Sequence, residues 1–169
     1  MARRVIDAFA PYLSEEFAEE TFDFYGRTLA GIQKMRPRWR RALALIESVV
    51  GFDMGRLYTQ RHFPAEYKER MKVLVGNLLD AYENSIKDLE WMGEDTKKRA
   101  LEKLGTFQTK IGYPDNPRSY KGLEISKDKT LIENLEASSE FDIEWEFSKL
   151  GGPVDRTEWL MTPQTVNAY

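Results

Sequence analysis

Apolar residues recur at steps of three and four along most of the first 110 positions, with charged residues filling the gaps. That period places the apolar side chains on one face of an α-helix. Trp39, Leu43, Ile46, Val50, Met54 and Leu57 form one such stripe, and Met71, Leu74, Leu78, Tyr82, Ile86 and Leu89 form another. Lys68, Glu69, Lys72 and Asp80 read as the polar side of the second helix. Ala100, Leu101, Leu104 and Phe107 continue the pattern in a further helix.

Breaks in the pattern set the boundaries. Asp7 to Ala30 reads as two short helical stretches interrupted at Pro11, with Ser14 as an N-cap before Glu15 and Glu16 and Gly31 as a stop. Pro37 suits the first turn of the long helix that follows, where its missing N–H leaves no bond unmade. Gly51 and Gly55 weaken that helix and leave room for a neighbouring helix to approach. His62-Phe63-Pro64 marks a break, and Gly93 ends one helix or caps the next. Pro114 and Pro117 forbid a regular helix after Gly112. Leu123-Glu124-Ile125 is at most a short strand. A last helix is expected from about Lys129 to Leu150, closed by Gly151-Gly152-Pro153. The tail from Thr157 reads as extended chain because of Pro163 and the β-branched Thr165 and Val166. The fold class is therefore mainly α. Residues 1–110 form a multi-helix domain, and residues 111–169 form an irregular arm with one more helix and a terminal extended strand.

Composition narrows the chemistry. The formal net charge of −3 argues against a general nucleic-acid binder, which needs a basic excess. No apolar run is long enough to span a bilayer. The first residues are basic but lead into no long apolar stretch, so no signal peptide is expected there. Cysteine is absent and His62 is the single histidine. One histidine without cysteine cannot supply the usual three-ligand catalytic zinc site, and no G-x-S-x-G elbow supports a serine nucleophile. His62 has Tyr58 and Glu66 at helical spacing and reads as a surface or helix-end residue. Arg36, Arg38, Arg40 and Arg41 cluster around Trp39; the expected arrangement packs Trp39 inward and pairs the arginines with carboxylates of neighbouring helices. Lys97, Lys98 and Arg99 follow Glu94 and Asp95 at a helix start. They need Glu94, Asp95 or Glu102, or a partner in the complete protein, because cations oppose the helix dipole there.

Seven blocks along the chain carry a resemblance. They are Phe22-Asp23-Phe24-Tyr25-Gly26-Arg27-Thr28-Leu29, Pro37-Arg38-Trp39-Arg40-Arg41, Gly55-Arg56-Leu57-Tyr58, and Trp91-Met92 with Thr96-Lys97-Lys98-Arg99-Ala100. Lys110-Ile111-Gly112-Tyr113-Pro114, Asp155-Arg156 with Trp159, and Val166-Asn167-Ala168-Tyr169 follow. In this order they resemble the neprilysin and endothelin-converting-enzyme family of zinc metallopeptidases, including its bacterial oligopeptidase members. The resemblance implies a parent protein that hydrolyses short peptides. A helical domain encloses the substrate cavity, and a thermolysin-like domain holds zinc through an H-E-x-x-H helix and a later glutamate. Those zinc-binding elements lie beyond Tyr169, so no catalytic or metal-binding residue is assigned in this chain, and the isolated chain is expected to be inactive. Asn167 and Ala168 alone carry over as substrate-binding residues, through the asparagine side chain and the alanine backbone. The implied partners are peptide substrates and the missing catalytic domain. The helix opening at Thr96 either joins the domains and lines the cavity or simply packs. Ala42 stands where the disulfide-bonded, membrane-anchored vertebrate relatives have cysteine. That suits a soluble bacterial member, cytoplasmic or secreted. The alternative reading is a free-standing helical interaction module without catalysis.

Overall fold

The computed structural model describes residues 2–167. Among them are six α-helices: α1 (Ala2–Phe9), α2 (Glu15–Thr21), α3 (Arg38–His62), α4 (Ala65–Asp88), α5 (Glu94–Gly105) and α6 (Leu131–Ser148). No β-strand occurs among the described residues. The chain forms two compact units, each assembled from separate stretches of sequence. The first comprises Met1–Gly51 and Ser119–Arg156, the second Phe52–Arg118 and Thr157–Tyr169. The division falls next to Val50, whose backbone (φ −128°, ψ 38°) is not helical although α3 continues on either side.

In the first unit, Pro11 sits in a single 3₁₀ turn, Ala10–Tyr12, between α1 and α2. Ser14 has the extended backbone of an N-cap but makes no side-chain cap bond. Its side chain instead helps hold the Glu16 carboxyl below the usual range, with the backbone N–H of Glu16 as the second cause. Past Thr21 the chain widens into a π-helix, Phe22–Leu29. Gly26 explains how the wide turn closes: a Cβ there would lie 2.5 Å from the Phe22 ring. Arg27 spans the same turn, its guanidinium 5.2 Å from the Phe22 ring centre and ion-paired to Asp23. Thr28 donates to the Asp23 carbonyl, five residues back. Gly31, at φ +69°, then stops the helix as the sequence predicts. The α6 helix begins with a capping box. Glu133 N–H donates to the Thr130 hydroxyl, and Thr130 N–H donates to the Glu133 carboxylate. The Thr130 hydroxyl, which also donates to that carboxylate at 2.7 Å, and the Thr130 N–H together hold the Glu133 carboxyl below its usual range. Residues 123–125 form no strand. Leu123 N–H closes a turn onto Tyr120, with Gly122 at φ +100°.

In the second unit, Pro64 opens α4 and Gly93 opens α5, both in extended backbone. Lys97 pairs with Glu94 at 3.2 Å and also donates to the Lys87 carbonyl at the end of α4. One α5 cation thus has both the acidic partner it needs and a helix C-terminus to neutralise. The Gly55 expectation is revised. The close approach there comes from the tail rather than a helix: a Cβ would lie 2.5 Å from Pro163 and 2.6 Å from Gln164. The expected terminal strand is also revised. Thr165 and Asn167 spend their N–H groups on the nearby carbonyls of Thr162 and Thr165. An isolated segment without a partner strand satisfies its backbone through such turns.

Large apolar side chains are widely exposed. Trp39 is 63% exposed, Tyr82 63% and Trp91 78%, and among the described residues no large side chain is fully buried. The accessible surface is 13783 Å².

Candidate functional site

The stripe on α4 predicts a buried apolar face and a solvated polar one, with Lys68 in the latter. The structure departs from the first and, at Lys68 alone, from the second, since Glu69, Lys72 and Asp80 are exposed as expected. Met71, Leu74 and Leu78 are 40 to 52% exposed, whereas Lys68 is 5% exposed. Its ammonium donates to the Tyr113 carbonyl at 2.7 Å and to Asp115 Oδ1 at 2.6 Å. It also lies 4.3 Å from the centre of the Tyr113 ring. A buried ammonium is tolerated only when its donors are engaged, and here a carbonyl, a carboxylate and a ring face do so. The bond from Lys68 holds the Asp115 carboxyl below the usual range.

This anchor fixes the Gly112–Pro117 loop. Gly112 has φ +72°, and a Cβ there would meet the Phe63 ring at 2.6 Å. The Phe63 and Tyr113 rings meet edge to face at 6.3 Å. Beside them lies a cavity of about 430 Å³, walled by Phe52, Arg56, Thr59, Phe63, Tyr113 and Pro163 among others. The tail is tied to the same unit by Lys110, which donates to the Glu158 carbonyl. Asn167 is exposed in irregular chain after the Pro163–Gln164 turn, and the neighbouring Val166 is fully exposed. Ala168 lies outside the described residues. No metal-binding group of three or more His, Cys, Asp or Glu occurs among the described residues. His62 is exposed and packs its ring 4.9 Å from that of Tyr58, one helical turn back. With one histidine and no cysteine in the whole sequence, the donor set does not fit a catalytic zinc.

In the first unit, the expected inward packing of Trp39 is not found; the ring is exposed, with Arg40 5.1 Å from its centre. Nor do Arg36, Arg38 and Arg41 pair with a carboxylate among the described residues. Two features escaped the reading of the sequence. The Lys68 anchor has no local signature, because Tyr113 and Asp115 lie 45 and 47 residues away. The capping box does have one: Thr130-x-x-Glu133 ahead of an apolar helix.

The geometry thus defines a helical segment built around a lysine-anchored loop. Residues 1–114 match the N-terminal model of Peptidase family M13. The chain is 32% identical to a neutral endopeptidase of Lactobacillus helveticus over 99% of its own length and 26% of that protein's. It also matches the cryo-EM structure of the Mycobacterium tuberculosis zinc metalloprotease Zmp1 in its open state. That match has 49% identity and a TM-score of 0.86, covering 98% of this chain and 26% of that one. The crystal structure of PepO from Lactobacillus rhamnosis is matched at 29% identity and TM-score 0.84, over 92% of this chain and 25% of that one. The chain belongs to peptidase family M13. It spans about a quarter of the length of these relatives.

Proposed function

We propose that the chain is the part of a zinc-dependent metalloendopeptidase that encloses the substrate cavity, and that the whole protein hydrolyses short peptides. Residues 1–110 supply the helical wall. Residues 111–169 form the arm that leads to the catalytic domain. The zinc ligands and the general base belong to that other domain, since this chain's own residues do not fit the metal. Asn167 and Ala168 hold the main chain of the substrate. An amide side chain offers both a donor and an acceptor to an extended peptide. The whole protein is read as soluble and bacterial, cytoplasmic or secreted. No helix among the described residues is long and apolar enough to cross a membrane.

One observation carries this reading: residues 1–114 match the N-terminal model of Peptidase family M13, while large apolar side chains such as Trp39, Tyr82 and Trp91 stay exposed. Apolar faces of this extent mark surfaces that another domain covers. A free-standing interaction module is disfavoured for the same reason. The gene sequence past Tyr169 tests the proposal. An H-E-x-x-H motif within a few dozen codons is expected, and a stop codon soon after Tyr169 would overturn it. In the complete protein, Asn167→Ala should lower kcat/KM by about tenfold or more, equivalent to one or two lost hydrogen bonds, with bound zinc unchanged.

A further inference from the structure

The first unit holds a cavity of about 980 Å³ that plays no part in the reading above. Arg36, Arg38, Arg40 and Arg41 line it, against two carboxylates, Glu15 and Glu19. Neither glutamate is ion-paired to these arginines among the described residues. Arg41 is half-buried, and its Nε is shut off from solvent with no hydrogen-bond partner. A buried guanidinium N–H without an acceptor is uncommon, because its desolvation is then uncompensated. The placement adds to the imbalance. Arg38, Arg40 and Arg41 occupy the first turn of the 25-residue helix α3, which has no acidic residue there. Helix dipole and side chains therefore present the same positive sign to the cavity. Arg38 and Arg41, three apart on one helix face, repel each other as well.

We infer that this cavity binds the carboxylate side chains of an acidic peptide. Guanidinium forks match a carboxylate in two parallel hydrogen bonds. The volume suits several residues rather than a single ion. Leu13, Met35, Leu45 and Leu131 supply apolar wall between the charges, so apolar side chains next to the acidic ones are accommodated. Glu15 and Glu19 favour a peptide over a phosphate ester. They accept from peptide N–H groups, and they repel a dianion more than a single carboxylate. The site is independent of the catalytic reading, since it requires neither zinc nor Asn167.

Calorimetric titration of the 169-residue chain tests this. The probes are a capped tetrapeptide of alternating leucine and glutamate, its glutamine counterpart, and inorganic phosphate. At low salt the glutamate peptide should bind at least about tenfold more tightly than the glutamine peptide, a gap of one charge-assisted interaction. The gap should narrow as salt screens the charges. Arg38→Gln, and separately Arg36→Gln in the loop before α3, should remove the preference while the circular dichroism of the helices is unchanged. Arg61→Gln, in the second unit, should retain it. Equal affinity for the two peptides, or no binding of either, would overturn the inference. So would tighter binding of phosphate than of the glutamate peptide, or a preference that survives both Arg36→Gln and Arg38→Gln.

Discussion

Two groups of cations in this chain look alike in sequence and differ in structure. Lys68 on α4 is buried, and its ammonium is held by a carbonyl, a carboxylate and an aromatic ring. The arginines around Trp39 are mostly exposed, and Arg36, Arg38 and Arg41 have no carboxylate partner among the described residues. Charge and helical position do not distinguish the two. The distinction comes from whether a distant loop returns to the helix. Gly112–Pro117 returns to Lys68, and its backbone supplies the acceptor. The lesson is that Lys68 holds structure together, while the arginines are free to meet something from outside.

That contrast can be broken most sharply at the anchor itself. Lys68→Ala should destabilise the chain by about 1–3 kcal/mol in urea denaturation, the cost of leaving the half-buried Tyr113 carbonyl without its donor. A change under half a kcal/mol would put Lys68 in the same class as the arginines. Gly112→Ala attacks the same anchor from the loop. It forces a side chain to a positive φ and into the Phe63 ring, so a loss of about 2 kcal/mol is expected. Arg38→Gln supplies the opposite limb. With no partner to lose, and with repulsion at the helix start relieved, it should leave stability unchanged or raise it by up to about 0.5 kcal/mol. A loss above about 1 kcal/mol would reveal a structural role for the cluster.

Acid supplies the smallest effect. The Asp115 carboxyl is depressed by its bond from Lys68, so its contribution is fully present above the unfolded carboxylate range. That contribution is lost as pH falls through the lower folded value. Asp115→Asn should therefore flatten the stability profile slightly below about pH 4, where an unperturbed aspartate titrates. Because Asp115 is 84% exposed, the flattening should also weaken in high salt. A profile identical to that of the unsubstituted chain would deny the pair any energetic role.

The helices were legible because a 3.6-residue period and glycine or proline stops are local signals. The predicted last helix, 129–150, overlaps the observed Leu131–Ser148, and Gly151 at φ +76° ends it as expected. The π-helix was not legible, since the approach of Gly26 to the Phe22 ring and the bond from Thr28 to the Asp23 carbonyl leave no mark on apolar spacing. The polar face of α4 misled because the pattern assumes a single buried face, and Lys68 is buried by a loop 45 residues away. Thr165 and Val166 have the side chains of a strand, but strand formation depends on a partner that local sequence does not specify. The candidate substrate residue Asn167 came from resemblance alone; nothing about its spacing singles it out.

If this chain is the cavity-enclosing part of an M13 metallopeptidase, as proposed, it binds no zinc by itself. Zinc content and peptide hydrolysis, measured together on the purified 169-residue chain, test it most directly. The expected result is no stoichiometric zinc after dialysis and no cleavage of a short-peptide library. One tightly held zinc per chain accompanied by peptide cleavage would contradict it.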